Sequence, residues 1–169
     1  MRPDTATRAI GTLAVALTVH ASATAFASAL AAQPATAPPL TAEDSVRAML
    51  LDFARTGERG DLGALPRFYD DSPALRWVER GAVTLRSLED LRRYLAQVPA
   101  GTALRTQFDS LELSVVAPGV VSGTARTRTT FLGGSPAQPM GAFDTRLTFV
   151  VVRRASGWKF VQGHAASPP

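Results

Sequence analysis

The chain has 169 residues, a formal net charge of +4, 46% hydrophobic residues and no cysteine. That length supports a single domain with its own core, and the missing cysteine excludes a disulfide framework, a lipid-modified cysteine anchor and thiolate metal sites. The basic excess is mild, and Arg92-Arg93 and Arg153-Arg154 are isolated pairs with no interleaved aromatics, so nucleic acid is not an expected partner.

Residues 1–32 read as a signal peptide. Arg2 and Arg8 give a basic start, and the apolar run from Ala9 to Val19 is too short for a membrane span of roughly 20 residues. Small-x-small sites follow at Ala27-Ser28-Ala29 and Ala29-Leu30-Ala31, the pattern a signal peptidase cuts, with cleavage expected after Ala31 or Ala32. The expected location is the periplasm or the exterior, with no membrane attachment after cleavage. Residues 33–40, a proline- and alanine-rich linker, lead into one domain over 41–167.

Thr41 with Asp44 is an N-cap pair, and Val46, Met49, Leu50 and Phe53 recur at helical spacing, with Gly57 expected to end the helix. Asp61 is placed to cap a second short helix carrying Leu62, Leu65 and Phe68 inward, shortened by Pro66. "ALRWVERGAVTL" predicts a strand, a turn near Gly81 and a second extended piece. Ser87 caps a third helix with Leu88, Leu91, Leu95 and Val98 on one side, stopped by Pro99. From Thr102 the apolar period falls to two. Four long antiparallel strands are predicted, over Ala103 to Val116, Val120 to Leu132, Met140 to Arg154 and Trp158 to Ala165. Alternation breaks between Phe108 and Leu111, near Asp109 and Glu112, which predicts a bulge. Helices first and a meander after is an α+β pattern, with the helices on one face of the sheet.

Two stretches carry a resemblance. "FYDDSPALRWVERGAVTLRSLEDLRRYL" is similar to the region after the second helix in SnoaL-like members of the nuclear transport factor 2-like superfamily, and "LTFVVVRRASGWKFVQGHAAS" resembles that family's final hairpin. The resemblance spans about Thr41 to Ser167. It implies a cone-shaped, curved antiparallel sheet with about three N-terminal helices enclosing an apolar cavity, and a homodimer formed through the outer sheet face.

Within that cone, Trp158, Phe160, Gln162 and His164 share one parity of the last strand and are expected to point together into the cavity, His164 at its mouth. The aromatics Phe53, Phe68, Tyr69, Trp77 and Tyr94 are further lining positions, each also a plausible core residue. The family's last strand commonly carries two histidines; here Gln162 stands at the first. Its ketosteroid isomerases use a strand carboxylate as base, and the position nearest that base holds Arg76 or Trp77, neither of which can accept the proton. Glu79 is the nearest carboxylate, expected to be solvated beside the Gly81 turn. Asp144 and Arg146 share a parity, read either as a charge pair on the outer face or as an anion contact in which Asp144 orients Arg146.

No metal or other cofactor is expected, because His164 is the one histidine left after cleavage and no carboxylates cluster. "GGSPAQP" joins strand to strand and is not a phosphate loop. Two functional readings remain. The first is an exported module that binds a small, largely apolar molecule or a partner without an evident catalytic set. The second is a cofactor-free lyase or isomerase with His164 as general base, assisted by Tyr69 or Asp70.

Overall fold

The computed structural model describes residues 40–134 and 137–167. The expected signal peptide, with His20, and linker residues 33–39 lie outside the described residues. Helix α1 (Ala42–Glu58) starts where the sequence places it: Thr41 Oγ1 accepts from Asp44 N at 3.0 Å and donates to Asp44 Oδ2 at 2.8 Å. Val46 and Leu50 are buried on its inner face. Gly57 does not end the helix. It is buried inside it, where a Cβ would meet Leu104 O at 3.0 Å, so its role is close approach to the sheet. The stop falls on Gly60, whose φ of 74° allows Gly60 N to reach Gly57 O (2.9 Å) and Asp61 N to reach Thr56 O (3.2 Å).

A 3₁₀ helix (Leu62–Phe68) follows, with Leu65 and Phe68 buried; Asp61 makes no side-chain cap. Strands β1 (Arg76–Glu79) and β2 (Ala82–Leu85) form a hairpin through Arg80-Gly81, both at positive φ, as a two-residue turn of matching twist requires. Ser87 Oγ accepts from Asp90 N at 3.1 Å to open α2 (Leu88–Leu95), which buries Leu91. The long strands β3 (Ala103–Ala117), β4 (Val120–Gly133), β5 (Gln138–Arg154) and β6 (Gly157–Ala166) end within two residues of their predicted limits. Among the described residues no helix is long and apolar enough to cross a membrane.

The six strands form one curved sheet in the order β2-β1-β6-β5-β4-β3. It is mixed, not antiparallel as expected, because β1 runs parallel to β6 from Arg76↔Gln162 to Glu79↔Ala165. The chain leaves the 3₁₀ helix already aligned with β6: Tyr69 makes a parallel bridge to Phe160, and Asp70 N donates to Phe160 O at 2.8 Å. The helices cover one sheet face, and the core between them includes Val46, Leu50, Leu75, Val121 and Val151.

Two bulges set which side chains face that core. Asp109 is skipped between Phe108↔Thr127 and Ser110↔Arg126, the predicted bulge, and both Asp109 and Glu112 stay exposed. Val161 is skipped between Val151↔Phe160 and Val150↔Gln162. Trp158 and Phe160 are therefore buried, but beyond Val161 the parity inverts: Gly163 is buried while Gln162 and His164 are exposed. The expected common face for these four residues is corrected by that one extra residue.

Candidate functional site

A cavity of about 190 Å³ lies between the helices and the inner sheet face. Aromatic side chains build much of its wall. Trp77 and Glu79, two apart on β1, project to the same side, and Trp77 Nε1 donates to Glu79 Oε1 at 3.2 Å. The Trp77 ring lies flush on the backbone of its β6 neighbour Gly163, where a Cβ would come within 2.1 Å of the ring. Tyr69, held by its bridge to β6, packs edge-on to Trp77 with ring centroids 5.6 Å apart, and Phe53 meets Phe68 at 5.5 Å. Phe160 stands behind this lining, 5.7 Å from the Trp77 centroid.

The polar groups are few. Among the described residues, Glu79 is the only formally charged side chain on the wall of this cavity. Tyr94, half-exposed on α2, reaches the same space. Burial, then the charge of Glu79, then Tyr94 push the Tyr69 phenol far above its ordinary value. The Tyr94 phenol is raised for the same first two reasons, burial and then Glu79, against the opposing charge of Arg80. Both phenols are therefore neutral hydrogen-bond donors at physiological pH. On the sheet side, the Thr106 and Thr129 hydroxyls are 3.2 Å apart and bond each other. Thr127, 3% exposed, also lines the cavity. A vestibule of about 270 Å³ shares Glu79, Tyr94, Phe143 and Thr145 with the cavity and adds Arg80 and Phe131 at its exposed side.

Phe53, Tyr69, Trp77 and Tyr94 are placed in the cavity wall. The other expected positions are not, and Phe68 is buried in the core. Trp158 is packed at the β5–β6 hairpin end under the guanidinium of Arg153, 5.7 Å from its ring, and Phe160 is core. Gln162 and His164 lie on the outer face, in a shallow groove with Arg76, Val78, Val83 and Thr148. His164 sits opposite Val78 and Thr148, across the sheet from Trp77 and Glu79, so it cannot reach a molecule in the cavity. Asp144 and Arg146 are also outside. Asp144 accepts from Arg128 Nη1 at 3.1 Å, directly across β4, and does not orient Arg146. Arg146 instead faces the like-charged Arg126. Asp70 is buried away from the cavity, gripped by Arg154 through two 2.8 Å hydrogen bonds and by Ser72 at 2.6 Å.

Glu79 is the residue sequence reasoning misplaced. Its signal was present: two positions from a tryptophan on a strand, it had to share the tryptophan's face. The threonines of the wall carried no such mark, because alternating threonines are equally at home on an outer sheet face.

The sequence pattern of the SnoaL-like domain matches residues 46–169. No curated protein matches the chain. Among solved structures, it is similar to a candidate dehydratase of the NTF2-like family from Streptomyces avermitilis, at 20% identity and TM-score 0.62 over 75% of this chain and 97% of that one. It is also similar to a type 2 hexachlorocyclohexane dehydrochlorinase, at 16% identity and TM-score 0.59 over 75% and 85% of the two chains. A candidate calcium/calmodulin-dependent protein kinase II association domain from Xanthomonas campestris matches at 14% identity and TM-score 0.63, over 80% and 94%. At such identities the likeness is one of fold. With the helices, the six-stranded mixed sheet and a family pattern matched from residue 46 onward, this chain belongs to the SnoaL-like family and has the α+β fold of the nuclear transport factor 2-like proteins.

Proposed function

We propose that this domain holds a small, largely apolar molecule in the cavity that the sheet and helices enclose as a cone. The observation that carries this is the wall itself: Phe53, Tyr69 and Trp77 with a handful of hydroxyls and one carboxylate, an apolar lining with few polar groups, as ligand sites have. A volume of about 190 Å³ suits a molecule of one or two small rings and not a large one. Native mass spectrometry of the protein purified gently from the periplasm of an exporting host tests it. A stoichiometric small-molecule adduct, lost when Trp77 is replaced by alanine, is expected; a protein that stays empty and takes up no apolar probe overturns the reading.

One observation favours a second reading, a cofactor-free lyase or isomerase. Glu79 lines the cavity beside two phenols held neutral, so a base and two hydrogen-bond donors meet in one space. The fold is shared with a candidate dehydratase and a dehydrochlorinase. His164, on the outer face, has no part in it. Loss of turnover in Glu79→Gln, with His164→Ala fully active, is the result expected of this chemistry.

Export rests on residues 1–32 and is tested by N-terminal sequencing of the secreted protein, expected to begin near Gln33. A homodimer through the outer sheet face is supported by the apolar Val78, Val83 and Val150 in the groove there, and sedimentation is expected to give twice the chain mass.

A further inference from the structure

The cavity wall combines two features that a neutral ligand does not require together. Among the described residues its single formal charge is negative, with no lysine, arginine or histidine lining the space. The same wall carries the aromatic rings of Trp77, Tyr69 and Tyr94. Aromatic faces attract cations through the ring quadrupole, and the attraction strengthens where water is excluded. Glu79 has acceptor capacity to spare, because Trp77 Nε1 occupies one position on Oε1 and no ion pair neutralises the carboxylate among the described residues. Arg80, the nearest cation in sequence, belongs to the exposed side of the vestibule and not to the cavity. The hydroxyl of Thr127 adds a neutral contact.

We propose that the cavity is selective for a small organic cation, an alkylammonium group carried on an apolar body, with its charge set between Glu79 and the rings of Trp77, Tyr69 and Tyr94. This rests on the cavity being the ligand site. An anionic ligand is disfavoured by Glu79, and a neutral one of the same shape gains nothing from it.

The test compares choline with 3,3-dimethylbutan-1-ol, which differ only in a quaternary nitrogen against a quaternary carbon. In ligand-observed NMR titrations at low salt, choline is expected to bind about tenfold more tightly than the alcohol. Glu79→Gln, checked for folding by circular dichroism, is expected to bring the two affinities together. If the alcohol binds as well as choline, or Glu79→Gln keeps the preference, the cation inference falls while the binding reading stands. If neither molecule binds, both fall. Should Glu79→Gln fail to fold, the wild-type comparison decides alone.

Discussion

Gly163→Ala tests the packing that shapes the cavity. A methyl there would sit 2.1 Å from Trp77 Cζ3, 2.4 Å from Cε3 and 2.6 Å from Cη2, where ordinary carbon contacts are about 3.5–4.0 Å. The indole must therefore retreat by on the order of 1–1.5 Å to restore contact distances. Tyr69 and Phe160 hold it at centroid distances of 5.6 and 5.7 Å, so the open direction is the cavity itself. Overpacking of this kind costs about 1–3 kcal/mol, offset by under about 1 kcal/mol from removing a glycine from a strand. The expected net loss of about 1–2 kcal/mol corresponds to a Tm fall of roughly 3–8 °C for a domain of this size. Urea unfolding at pH 7 measures the loss, and titration with 3,3-dimethylbutan-1-ol measures the lost cavity space as weaker binding. Trp77→Leu removes the clashing ring atoms, so in that background the Gly163→Ala penalty should disappear, a coupling of about 1 kcal/mol or more. A Gly163→Ala protein within about 0.5 kcal/mol of wild type, or an equal penalty without Trp77, would refute this packing argument.

Hydrogen bonds from Arg154 hold the Asp70 carboxyl below the usual carboxylate range, against the opposing effect of burial and with help from Ser72. A carboxyl depressed in the folded state contributes stability above its unfolded value, near pH 4, and loses it as pH falls through the folded value. The stability gap between wild type and Asp70→Asn should thus be full at pH 7 and narrow below about pH 4; urea melts showing a constant gap down to pH 3 would contradict this. Tyr69 runs the other way: its raised phenol contributes stability that is full below about pH 10 and lost as pH rises beyond it. Glu79→Gln should lower the Tyr69 titration seen by ultraviolet absorbance without restoring the ordinary value, since burial is the larger cause; an unmoved titration would place the two residues apart. His164→Ala should change stability by no more than about 0.5 kcal/mol and leave cavity binding intact, and a Tm drop of several degrees would contradict its exposed position.

What the sequence determined by itself is the local part of this protein. The caps at Thr41 and Ser87, the strand limits and the bulge at Asp109 all follow from residues within about four positions of one another, and the family patterns extended those elements to the α+β fold. Gly57 shows the limit: expected to end the helix, it lies inside it against Leu104, and the stop falls on Gly60 instead. The candidate site depended on such long-range relations throughout. The parallel pairing of β1 with β6 sets Trp77 on Gly163 and brings Glu79 inward, and the unpaired Val161 sends Gln162 and His164 to the opposite face. Side chains alternate strictly along a strand, so one extra residue, visible only once the partner strand is in place, inverts every position after it.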